Sequence, residues 1–178
     1  MPECLPAQEK HIVGWIERVK IYPGRGGEGL SLKAKLLSII GIEDSKVGEK
    51  GLSLKAKLDT GARSSAMHAF NIAKFKRNGK DWVKFIVKNK KKGNVTIEKE
   101  VYRTVKIKRK NEKPEERLVI LLGICLGSTY KVGEVSLVDR SNFIYPVLLG
   151  RRFLQGSFII DPGKTFTHKP FCKGISEK

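Results

Sequence analysis

The sequence predicts an all-β domain, and three observations carry that prediction. Short segments rich in Val, Ile, Leu, Phe and Tyr recur between clusters of Gly, Asn, Pro and Lys, as strands between turns do. Helical periodicity is scarce along the whole chain. The stretch "KRNGKDW" sets Asn78-Gly79 between apolar flanks, and both residues accept the positive φ of a two-residue hairpin turn. At 178 residues with 40% apolar content, the chain suffices for one domain with a real core and is short for two.

The elements follow in order. Residues 11–21 open as a strand, after a tail over 1–11. The octapeptide "GLSLKAKL" then occurs twice, at residues 29–36 and 51–58, an offset of 22 residues. Solenoids need three or more repeats, so two copies indicate a local tandem duplication. In the second copy Leu52, Leu54, Ala56 and Leu58 share one face, and Ser53, Lys55 and Lys57 the other. Only this copy runs into Asp59-Thr60-Gly61, so it is expected in the core strand, with residues 37–50 as an inserted loop or extra hairpin. Further strands are expected at 82–87, 101–108, 118–126 and 131–139. "NKKKGN" forms a second turn, whose lysines at 88, 90, 91 and 92 make a solvated tip or touch an anionic partner. Val147-Leu148-Leu149 is a short apolar strand ending at Gly150. A one-turn helix over 151–155 follows, closed by Gly156, and then a last strand at 158–160. The domain is expected to span 12–168, with the duplicated insertion around 29–50 and a tail over 169–178.

Thirty-six Lys and Arg face eighteen Asp and Glu, giving a formal charge of +18. Such a surface favours polyanions: nucleic acid, an anionic membrane face or an acidic polypeptide. Three cysteines, Cys4, Cys125 and Cys172, are odd in number and widely spaced, which suits reduced thiols in the cytoplasm. No signal-peptide core and no run of 18 apolar residues is present, so the expectation is a soluble cytoplasmic protein without a membrane partner. Cys125 in "VILLGICLG", Trp15, Trp82 and the phenylalanines read as core.

The chemistry concentrates at Asp59. A carboxylate at the end of a buried strand is costly unless something uses or pairs it. Gly61 permits a sharp turn or close backbone approach, and Thr60 supplies a hydroxyl that both donates and accepts. A bare Asp-Thr-Gly also makes ordinary turns. Downstream, the apolar-apolar-Gly strand and short helix of "YPVLLGRRFLQGSFIIDP" supply what such a loop needs as a brace.

Together with "GWIERVKIYPG", "KAKLDTGARSSAMHAF", "DWVKF" and "FIIDP", these segments resemble bacterial retropepsin-like proteins that carry the label ATP-dependent zinc protease. The resemblance covers about residues 12 to 166 and implies a closed β-barrel of the acid-protease fold, with one short helix after Leu148-Leu149-Gly150. It implies Asp59 as catalytic aspartate with Thr60 and Gly61 completing its loop, and Ala62, Arg63, Leu148, Leu149 and Gly150 at the substrate cleft. Arg63 either pairs with a substrate carboxylate or sits in solvent. His68 falls where the family also carries histidine; it either supports the loop by hydrogen bonding or acts in proton transfer.

One Asp-Thr-Gly per chain supplies one carboxylate, whereas this hydrolysis needs two, one ionised and one protonated. A C2 homodimer with Asp59 of each subunit at the axis meets that need. No metal or cofactor is expected: His11, His68 and His168 lie far apart, no Cys-x-x-Cys or His-Glu-x-x-His exists, and Gly24-Arg25-Gly26-Gly27 lacks the ending of a phosphate loop. No Gly-x-Ser-x-Gly elbow supports serine catalysis. The partner is then a peptide or protein substrate, acidic in view of the charge, under a flap formed by one of the two hairpins. The alternative is a non-catalytic basic β-barrel that binds RNA or ribosomes, although aromatic residues do not interleave with arginine as in a single-strand platform.

Overall fold

The structure, a computed structural model, describes residues 9–24, 51–107 and 115–172. Eleven strands and one short helix are assigned among them: β1 (His11–Tyr22), β2 (Leu52–Asp59), β3 (Ser65–His68), β4 (Phe70–Arg77), β5 (Lys80–Asn89), β6 (Gly93–Glu100), β7 (Arg103–Ile107), β8 (Glu115–Leu126), β9 (Thr129–Val138), β10 (Val147–Gly150), α1 (Arg151–Leu154) and β11 (Phe158–Thr165). Sequence reading had no strand at β3, β4 or β6; these are short, or polar on the outer face, and leave little alternation to read.

The main sheet runs β11-β1-β2-β10-β3-β9-β8-β7, and β1 also pairs with β8. That extra pairing closes a barrel over β1, β2, β10, β3, β9 and β8, which removes the sheet edges these strands would otherwise expose. The closed six-strand barrel is the fold that the family resemblance implied. Its interior holds Ile21, Leu52, Ala56, Met67, Ile120, Leu122 and Leu149, all buried. β2 alternates as expected, with Leu52, Leu54, Ala56 and Leu58 inward, so the second octapeptide copy occupies the core strand. The first copy, the 37–50 insertion, Arg25 to Gly27 and Cys4 lie outside the described residues.

The second sheet, β4-β5-β6, lays Val83, Phe85, Val87, Val95 and Ile97 against the same core. Its first turn is the Asn-Gly hairpin, with φ of 51° at Asn78 and 77° at Gly79. In the second turn Asn89 Oδ1 accepts the Lys91 and Lys92 N–H groups. Lys88, Lys90, Lys91 and Lys92 are exposed there.

Two expectations need correction. Cys125 and Cys172 are joined in a disulfide across 47 residues, not reduced. The pairing was hidden because the wide spacing says nothing of how the chain past β11 folds back, where the Phe171 N–H donates to the Gly127 carbonyl. The cytoplasmic expectation leaned on those thiols and loses that support. Trp15, Phe143 and Phe171 are exposed, at 38%, 59% and 56%, and Trp82 is half-buried under Arg77, so aromatic character alone misplaced them. Among the described residues no helix is long and apolar enough to cross a membrane.

Candidate active site

Asp59 ends β2, and its side chain is one-quarter exposed at the mouth of the barrel. Its Oδ1 accepts the Gly61 N–H at 3.0 Å and the Ala62 N–H at 3.2 Å, while Lys57 Nζ lies 3.3 Å from Oδ2. Lys57 reaches it because residues two apart in a strand share a face. Burial pushes the Asp59 carboxyl up, but the Lys57 ammonium and the two N–H groups outweigh it and hold it below the usual carboxylate range.

The loop after Asp59 is braced from one side. β10 lies parallel to β2 with Leu149 beside Leu58 and Gly150 beside Asp59. A Cβ on Gly150 would sit 2.6 Å from the Ser64 carbonyl oxygen and 2.9 Å from that of Ala62, so only glycine lets strand and loop meet. The Gly150 N–H donates to Ser65 Oγ, the Arg151 N–H to the Ala62 carbonyl and the Arg152 N–H to the Arg63 carbonyl. The Arg151 guanidinium closes the set by donating to the Thr60 and Gly61 carbonyls at 2.8 and 2.9 Å. Arg151 is a site residue that motif reading passed over; the signal was its place directly after the bracing glycine.

Asp59, Thr60, Gly61, Ala62, Arg63, Leu148, Leu149 and Gly150 therefore converge on one loop-and-brace unit. Thr60 and Arg63 are exposed, Ala62 is half-buried, and Leu149 is in the core. His68 belongs to the neighbouring strand, where its Nδ1 accepts the Arg140 N–H at 2.8 Å and lies 3.5 Å from the Asp139 carboxylate. It supports the loop over 139–146. Arg140 in that loop is buried and senses the charge of Asp59. Nothing in the local sequence marks Arg140, because its setting depends on residues 72 positions away.

Among the described residues, no three His, Cys, Asp or Glu side chains converge as a metal site. The chain matches the family described as RimB-like, retropepsin-like aspartic endopeptidase RimB, over residues 39–170.

It belongs to that family.

Two relatives of the RimB-like chain are named probable alpha-L-glutamate ligase. One from Shewanella pealeana is 37% identical over 64% of this chain and 26% of its own length, and one from Desulfotalea psychrophila 33% identical over 70% and 28%. The chain thus spans about a quarter of these curated relatives. A solved structure, the Legionella pneumophila protein Lpg0085 of unknown function, is 31% identical with a TM-score of 0.65, over 90% of this chain and all of that one.

Proposed function

We propose that this RimB-like protein is an aspartic endopeptidase in which Asp59 of two subunits forms the catalytic pair. The carrying observation is the Asp59 carboxylate, fixed by two N–H groups in a braced loop yet open at the barrel mouth. One carboxylate, ionised, takes a proton from water. The resulting hydroxide adds to the scissile carbonyl while the protonated partner carboxyl polarises its oxygen. The C–N bond then breaks, with the proton passing to the departing amine. No acyl-enzyme forms. Thr60 and Gly61 shape the loop, and Ala62, Arg63 and Leu148 border the cleft.

The flap assigned to this cleft is the Asn78-Gly79 hairpin. Asn89 Nδ2 holds the lysine-rich turn to the Ser53 carbonyl, six residues up β2 from Asp59, about 20 Å at strand spacing. On the other hairpin, Lys74 pairs with Glu116 at the start of β8, next to Arg117, whose charge reaches Arg140.

The substrate we infer is an acidic protein segment, glutamate-tailed segments foremost. The net charge of +18 favours it, and longer relatives, of which the match covers about a quarter, are named probable alpha-L-glutamate ligase.

The test is incubation of purified wild type and Asp59→Asn with acidic and neutral peptide libraries, read by mass spectrometry from pH 4 to 8. Cleavage by wild type alone, with equal folding and association of both proteins, is the expected outcome. Full activity in Asp59→Asn removes the mechanism. The exposed lysine-rich turn favours a second reading, a basic module that binds RNA or ribosomes. It predicts steep salt dependence and indifference to Asp59→Asn.

A further inference from the structure

We propose that Arg140 reads a carboxylate of the bound peptide beside the scissile bond, with Arg117 as the second cation of the subsite; this rests on the peptidase reading above. Arg140 is 9% exposed and has no carboxylate partner among the described residues. Its recorded contacts are a long hydrogen bond from Nε to the Tyr145 carbonyl, 3.5 Å, and stacking of Cζ 4.3 Å over the Phe143 ring. A guanidinium carries five N–H donors. Four have no protein acceptor among the described residues and open to solvent, where a ligand can reach them.

Arg117 repeats the pattern. Its Nη2 pairs with Glu115 at 2.6 Å, while its buried Nε finds no partner. Burial and the charge of Arg117 both act against the Arg140 cation, and Asp59 acts in its favour. Asp59 does not pair with it, being held by Lys57 and its own loop. Asp139, next in sequence, turns to the Ser141 N–H and His68. Arg140, beside the Asp59 loop with donors open to solvent and a second cation close enough to be felt, is completed by an anion from outside.

Position and shape narrow that anion. The 139–146 loop runs directly into β10, whose last residue lies beside Asp59, and His68 pins the Arg140 backbone. A guanidinium fork matches a carboxylate in bidentate fashion. Phe143 and Ile144, 59% and 86% exposed, lie on the same loop and offer apolar cover to a methylene stem. A glutamate side chain has both parts.

Fluorescein-labelled tetraglutamate and tetraglutamine are titrated by anisotropy into Asp59→Asn protein, which cannot turn them over, and into the same protein with Arg140→Met or Arg140→Lys. Melting temperature is recorded for each. Arg140→Met is expected to lower tetraglutamate affinity roughly a hundredfold and remove the preference over tetraglutamine, since a desolvated charge pair loses its partner. Losing one cation of 36 cannot do this through bulk charge. If Arg140→Met fails to fold, Arg140→Lys decides: the charge stays, the fork goes, and a drop of about tenfold is expected. Unchanged tetraglutamate binding in a folded variant overturns the proposal. Arg140-dependent binding in a protein whose wild type cleaves nothing sinks the peptidase reading and leaves the carboxylate site standing. Cleavage by wild type with binding indifferent to Arg140 does the reverse.

Discussion

Lys57 and Asp59 show how one strand pitch sets the ionisation of a candidate catalytic group. The alternation of β2 sends leucines inward and, two residues apart, an ammonium and a carboxylate outward to the same side. The strand and its Asp59-Thr60-Gly61 ending were legible in the sequence because both depend on local pattern, whereas the Lys57–Asp59 pair was not read there. Arg140 and Arg117 were not, since their partners and burial come from distant segments. The sign of the Lys57 effect is open to measurement. Lys57 and the loop N–H groups hold the Asp59 carboxyl low, so its base form persists as pH falls. Lys57→Met removes the cation, the carboxyl rises toward its ordinary range, and the base form is lost at higher pH on acidification. The acid limb of kcat/KM is expected to move to higher pH in Lys57→Met, in pH–rate profiles of both proteins. A limb that stays in place shows that Lys57 does not govern this carboxyl.

At the level of elements, β10 and α1 were readable because an apolar triplet ending in Gly150 is short, local and patterned; the helix closes at Leu154, within a residue of the expected end. The tail beyond β11 was not readable, since what fixes it is a set of distant contacts. Glu17, fully buried in β1, accepts the Gly14 N–H, the Thr167 N–H and the Thr167 hydroxyl. Five residues on, Cys172 is bonded to Cys125 in β8, and this pair packs with Tyr22 and Tyr130. The tail thereby ties β1 to β8, the two strands whose pairing closes the barrel. Cys172→Ser is expected to lower unfolding free energy by roughly 2–4 kcal/mol, as loss of a cross-link over a long loop does. Urea titration checks it, with wild type in reducing agent matching the variant, and the variant itself indifferent to reductant. Equal midpoints in all four conditions show that the bond adds nothing to stability.

On the scale of the whole molecule, a single chain closes its barrel completely and yet offers one Asp-Thr-Gly loop, facing outward. An all-β domain with one core was legible in the strand pattern, and barrel closure followed only from the family resemblance; the charge of +18 raises polyanions as an expectation but not where they would dock, because net charge carries no position. The symmetric dimer proposed above would resolve the mismatch between a finished fold and half a catalytic pair by setting Asp59 opposite Asp59 of the partner subunit. In that proposed dimer two close carboxylates would resist joint ionisation and titrate in two coupled steps, with a Lys57 charge beside each. Subunit mixing tests the arrangement without a structure of the dimer. Wild type and Asp59→Asn are combined in equal amounts, exchanged at low concentration and reconcentrated. If each subunit worked alone, specific activity per total protein would fall to about half, whereas a shared pair leaves only wild-type dimers active, about a quarter of the population at random assortment. A value near a quarter, with sedimentation showing a dimer, is the expected result, and a value near half means that one loop suffices.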